Sequence, residues 1–278
     1  MKRLISAAAV ACALACVTAP AAMAQLVGNP LVEPRYVQPN AANLKPIYER
    51  LRKRMVLEEF AQFMVPLRLP KKLIVQFDQC NAPTRLYKAG EPATVCYELV
   101  DAIEKVAAKG DAETREMVLA GTITQAVFHD AANAIFDILQ VPVWGRREDA
   151  ADRLAGFLMV EVGSDIAYHL VVGTAIFFQN SGKTWTGSQF ADVNSPEGQR
   201  FFNFLCMAYG ADSVRFGYLA TSDDKDKQPI IPKNRANRCN DEYTQVRSAF
   251  NLRIMPYVDP DLLIKLRATQ WTLSSSGR

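Results

Sequence analysis

The chain has 278 residues, 49% of them hydrophobic, which is enough to bury one sizeable core. Its formal net charge is +3; without Lys2 and Arg3 the 32 basic residues fall to 30 against 29 acidic ones, about +1. That balance gives no electrostatic case for nucleic acid or an anionic membrane as partner, and leaves peptides, proteins and small neutral molecules open.

Lys2-Arg3, an apolar run from Leu4 to about Val17, and Ala22-Met23-Ala24 ahead of Gln25 have the three-part build of a signal peptide over 1–24. The expectation is export to the periplasm or medium. A lipoprotein anchor at Cys16 is the weaker reading, because Leu14 sits one place late for a lipobox. No later stretch reaches the roughly 20 apolar residues of a membrane span; the best, Ile166 to Phe178, is short and contains His169. Residues 25–43, with Pro30, Pro34 and Pro39, read as a flexible arm. With no linker or repeat beyond it, 44–278 reads as one domain.

Ile47, Leu51, Met55, Phe60 and Phe63 mark one face of a helix over 44–63, closed by Pro66 and Pro70. Leu73 to Phe77 reads as a strand. Thr84–Tyr87 and Thr94–Tyr97 are predicted to pair around Lys88-Ala89-Gly90-Glu91-Pro92 in a small antiparallel sheet. Helical spacing then covers 98–109, 112–140, 147–162, 165–178, 198–209 and 239–255, with Asp111 and Ser164 as N-caps and 222–233 as a charged, proline-bearing loop. The fold class is α+β, mostly α: a small antiparallel sheet followed by a helical bundle.

Cys80, Cys96, Cys206 and Cys239 remain once the leader goes. An even number in an oxidising compartment favours two disulfides. Of the three connectivities, the local one, Cys80–Cys96 and Cys206–Cys239, is preferred; a zinc site of four thiolates is the weaker alternative, since no CxxC pair occurs.

On the helix over 112–140, Gln125, His129, Asn133 and Asp137 form an unbroken i,i+4 polar line. Glu148 and Asp152 repeat the spacing on the next helix, across the reversal Val141-Pro142-Val143-Trp144-Gly145. Spacing alone favours the plain account: a solvated stripe on one helix, and acids near the N-terminus of the other that suit its dipole.

The block His129-Asp130-Ala131-Ala132-Asn133, then Val141-Pro142-Val143-Trp144-Gly145, then Glu148-Asp149-Ala150-Ala151-Asp152, supports a different reading. Together with Cys96-Tyr97-Glu98-Leu99, Gln199-Arg200-Phe201-Phe202-Asn203, Cys206-Met207-Ala208-Tyr209-Gly210 and Arg238-Cys239-Asn240-Asp241-Glu242-Tyr243, it resembles a bacterial family of exported domains of unknown function regarded as metallopeptidases. The family pattern is His-Glu-x-x-His, Leu-Pro-Val-x-Gly and Glu-Asp-Ala-Ala-Asp. The resemblance implies a zincin-like fold with zinc as cofactor. His129 falls on the first metal ligand, Asn133 on the second and Glu148 on the third, while Asp152 would orient the His129 ring. Asp130 stands for the catalytic base, and Asn194 lies where the family often has His.

Three of these positions depart from the pattern. Asp130 is a methylene shorter than Glu and draws back from a water whose proton it must take. Asn133 offers a neutral amide oxygen where zinc prefers imidazole. Asn194 removes a cation that could steady an oxyanion, a loss of about 10² to 10³ in rate. The expected function is therefore a metallopeptidase-like exported protein, catalytically impaired, that binds peptide or protein or serves as a scaffold. The alternatives are an active atypical metallopeptidase and a purely structural envelope protein.

Overall fold

The computed structural model describes residues 31–181, 190–221 and 228–268, with backbone only for Arg85, Leu86, Ser164 and Asp165. Residues 1–24, expected as a leader, the start of the arm and residues 222–227 of the charged loop lie outside the described residues, as does the Ser164 side chain expected to cap α6. Strands β1 (Val32–Tyr36), β2 (Leu73–Asp78), β3 (Arg85–Leu86) and β4 (Ala93–Cys96) form one sheet in the order β1-β2-β4-β3. The helices are α1 (Lys45–Lys53), α2 (Val56–Phe63), α3 (Tyr97–Ala107), α4 (Ala112–Ile138), α5 (Arg147–Glu161), α6 (Ser164–Ser181), α7 (Glu197–Ala211), α8 (Lys233–Arg253) and α9 (Pro260–Ala268). A helical majority beside a small sheet is the α+β class expected.

The sheet corrects the antiparallel expectation. β1 with β2 and β2 with β4 run parallel; the short β3–β4 pair alone is antiparallel, with Arg85 opposite Val95. β2 reads Leu-Ile-Val-Gln-Phe without strict alternation, as a strand covered on both faces does. β1 also corrects the arm, since Val32 to Tyr36 is ordered at the sheet edge. Pro34 is tolerated there because an edge strand can lack one donor. Tyr36 fixes it: its ring stacks on Phe77 at 6.0 Å, and its hydroxyl donates to Glu58 (2.8 Å) and accepts from Leu57 N–H (2.9 Å).

The helix expected over 44–63 is two. Met55 adopts a left-handed backbone (φ 53°) between α1 and α2. Basic Arg50, Arg52 and Lys53 end α1, and acidic Glu58 and Glu59 begin α2, so each new terminus meets a charge that suits its dipole. α8 starts at Lys233, six residues before the expected Cys239, with Pro232 at the N-cap position.

α4 is the central beam, packed on α3, α5, α6 and three strands. Every residue from Gln125 to Phe136 is buried. Its crossing with α6 is close enough that a Cβ at Gly173 would lie 1.8 Å from the Met117 carbonyl oxygen. Disulfides join Cys80 to Cys96 and Cys206 to Cys239, the pairing preferred from sequence. No helix among the described residues is long and apolar enough to cross a membrane.

Candidate functional site

A helix buried all round can carry polar side chains only if each is matched, because an unpaired buried polar group costs about 1–3 kcal/mol. α5 supplies the match. Gln140 (φ 52°) and Gly145 (φ 92°) turn the chain back with left-handed backbone, and α5 returns against α4. Gln125, His129 and Asn133 are at most 1% exposed, so the polar line is a buried ladder rather than a solvated stripe.

Its rungs are specific. Gln125 Nε2 donates to Asp152 Oδ1 (2.8 Å). His129 Nδ1 lies 2.7 Å from the same oxygen, and Nε2 lies 2.6 Å from Glu148 Oε2. Asn133 Nδ2 donates to Glu148 Oε2 at 3.3 Å. Arg147 closes the outer end: Nε donates to Asn133 Oδ1 (3.0 Å), Nη2 donates to the Asn133 carbonyl (2.6 Å), and the guanidinium pairs with Asp137 (2.8 Å). Tyr87 donates to Asp137 from β3's flank (2.7 Å). The inner end is held by Arg200 of α7, bidentate on Asp152 at 2.6 and 2.9 Å, its guanidinium 4.0 Å from the Phe178 ring centre. Burial alone would raise the Asp152 pKa; the Arg200 charge and then His129, with hydrogen bonds from both, outweigh it and hold the carboxyl well below its usual range.

Three of the expected site residues thus converge with their orienting partner: His129, Asn133, Glu148 and Asp152. Asp130 is buried one step on, about 100° around the helix from His129. Asn194 is directed elsewhere. Its Nδ2 donates to Asp192 (3.0 Å), and its backbone carbonyl accepts from Arg146 (3.4 Å). Arg147 and Arg200 carry no role in the sequence reading. The available signal was a lone cation in the apolar run of α7, and a cation beside Glu148 one turn from the Asn133 it would face.

Zinc needs three strong protein ligands at about 2.0–2.2 Å around an open fourth position, which sets neighbouring ligand atoms about 3.3 Å apart. Here His129 Nε2 and Glu148 Oε2 point at one another at hydrogen-bond distance. Asp152 lies at Nδ1, the other ring nitrogen, and is not available to the same ion. Both ring nitrogens are thus engaged by carboxylate oxygens. The third donor would be Asn133 Oδ1, a neutral oxygen already facing the Arg147 cation. This donor set does not fit a catalytic zinc. Among the described residues, the one cluster of three His, Cys, Asp or Glu ligand atoms is Cys80, Cys96 and Glu98, and its sulfurs are bonded to each other.

A family model for DUF4344, described as "Putative metallopeptidase", matches residues 36–252, a span that holds the whole ladder. The chain belongs to this family. Comparison with curated proteins and with solved structures gives no match.

Proposed function

We propose that this chain is a metallopeptidase-family protein whose His129 site no longer performs zinc hydrolysis, and that it acts by binding peptide or protein on the same face. The observation that carries the reading is Arg147 on Asn133, with His129 closed on Glu148. A guanidinium fills the neighbourhood of the second ligand and contributes positive charge where a metal would have supplied it. Asp152 on Nδ1 is how a metal-ligating imidazole is commonly oriented, so it fits descent from a metal site. The shortened Asp130 adds a weak base to an absent ligand.

Binding in place of cleavage is supported by the surface around the turn that leads into α5. Arg146 donates to the carbonyls of Phe190 (3.2 Å) and Asn194 (3.4 Å), tying the 190–194 segment to the turn that carries Trp144. Trp144 is 94% exposed, Phe190 54% and Val193 68%. Large exposed apolar side chains on tethered loops mark interaction surfaces, and Trp is enriched among residues that carry binding energy. Export, read from the leader-like 1–24 and compatible with two disulfides, would place this activity outside the cytoplasm.

The test is metal analysis and peptidase assay of the purified chain after zinc loading and desalting. The expected result is no stoichiometric zinc and no chelator-sensitive hydrolysis, for the native chain and for Asp130→Glu alike. Asn133→His combined with Arg147→Ala should retain zinc. One tightly held zinc per native chain, together with chelator-sensitive cleavage, would overturn the proposal in favour of an active atypical metallopeptidase.

A further inference from the structure

A cavity of about 510 Å³ lies between α5, α8, the turn after α2, and α9. Its wall is mainly apolar, with Leu154, Phe157, Leu158, Phe250 and Leu266 prominent, and Glu161, Tyr243, Arg247, Asn251 and Arg267 are its polar members. Phe157 is braced by Phe250 and Tyr243, ring centres at 5.0 and 5.8 Å, so this side of the cavity is firm. The opposite side is α9, which buries only Leu266 and leaves Ile264 67% exposed. α9 is fastened near its ends: Val258 bridges to Leu67, Asp259 pairs with Arg68 at 3.0 Å, and Arg267 pairs with Glu161 at 3.3 Å. Protein interiors are close-packed, so an apolar space of this size is unusual in a core but ordinary for a small-molecule site of about 300–1,000 Å³.

The polar groups select the class of occupant. Glu161 is already engaged by the Tyr243 hydroxyl (2.9 Å) and by Arg267. Arg247 is exposed at the rim with its guanidinium over the Tyr243 ring at 5.6 Å. Among the described residues no carboxylate pairs with it. A mainly apolar body with a cation at its mouth that is stacked on Tyr243 but paired with no carboxylate among the described residues complements an apolar tail with an anionic head. A peptide backbone fits poorly, because its amides would find few partners on such a wall.

We propose that this cavity binds a single-chain amphiphile with a carboxylate head, tail against Phe157 and Leu158 and head toward Arg247, with α9 as the facing wall. The 36–252 span of the family match stops short of α9, and the inference does not depend on the reading of the His129 ladder.

The probe is dodecanoate, titrated calorimetrically into the full mature chain below its micelle concentration, with dodecanol as the uncharged comparison. Saturable one-site binding of dodecanoate and a ligand-dependent rise in Tm are expected. Arg247→Gln, at an exposed position that does not threaten folding, should weaken dodecanoate by about 10-fold or more while leaving dodecanol unchanged. Leu158→Trp, which fills the cavity, should abolish binding of both. No saturable binding overturns the proposal, and so does affinity indifferent to both substitutions. A concentration-dependent dimer in sedimentation that excludes dodecanoate would also overturn it, showing a second copy as the occupant.

Discussion

Arg200 shows how one side chain can hold a buried charge in place. Asp152 is 6% exposed and ionised because Arg200 lies on it bidentately and His129 and Gln125 bond its other face. Removing one partner of a buried pair strands the other, which typically costs about 3–5 kcal/mol, far more than loss of a surface pair. Arg200→Leu should therefore destabilise the protein by about that amount in urea denaturation, and the companion change Asp152→Asn in the same chain should recover part of the loss. A cost under about 1 kcal/mol for Arg200→Leu would mean that the pair does not hold the ladder. At this scale His129, Glu148 and Asp152 were legible only through the family resemblance; their i,i+4 spacing by itself favours a solvated stripe, because a polar line reads the same whether or not a second helix covers it. Arg147 and Arg200 were not legible. A guanidinium on a long stem reaches a neighbouring helix, and which helix that is depends on packing that no local pattern encodes.

Elements were legible where periodicity is strong and were misread where a single residue overrides it. Met55 splits one expected helix by taking a left-handed backbone that methionine rarely adopts, while the apolar face runs on through the break. β1 was hidden because Val-Glu-Pro-Arg-Tyr has a proline and no alternation; its order comes from Tyr36 reaching Phe77 and Glu58, contacts remote in sequence. The parallel character has two sources: β1 beside β2, and β4, which lies between β2 and β3 and runs parallel to β2. By contrast, the Asp111 cap of α4 was read correctly, and its side chain accepts from Thr114 N–H at 2.8 Å. That hydrogen bond from the Thr114 backbone, with a smaller one from its side chain, lowers the Asp111 pKa below its ordinary value. A lowered folded-state pKa means the carboxylate stabilises the fold above its unfolded value of about 3.9, and that this contribution is lost as pH falls through the lower folded value. Asp111→Ala should thus lower Tm at pH 7, with the gap from the native chain closing as pH is taken down through the lowered folded-state value. A gap that stays constant down to that pH would assign the cap to something other than the ionised carboxylate.

At the scale of the whole molecule, one contiguous apolar cluster runs from Val32 in β1 to Ile254 after α8. The two disulfides sit in different parts of it. Cys80–Cys96 closes a separation of 16 residues at the sheet end, and Cys206–Cys239 closes one of 33 between α7 and α8. A Cβ at Gly210 would lie 2.2 Å from the Cys239 carbonyl oxygen, so α7 and α8 already approach as closely as backbones allow beside the second bond. On loop-closure grounds the two bonds contribute about 3 and about 3.5–4 kcal/mol. Because the core is shared, neither bond guards a separate unit. Replacing Cys206 and Cys239 with Ser should lower a single unfolding transition by about 3–4 kcal/mol, and replacing Cys80 and Cys96 should lower the same transition by slightly less, the two losses adding when combined because the sites are remote from each other. The check is urea unfolding followed by far-ultraviolet circular dichroism and tryptophan fluorescence together. If either pair of substitutions splits the transition, so that the sheet end and the α7–α8 end melt at different urea concentrations, the shared core does not bind the halves into one cooperative unit.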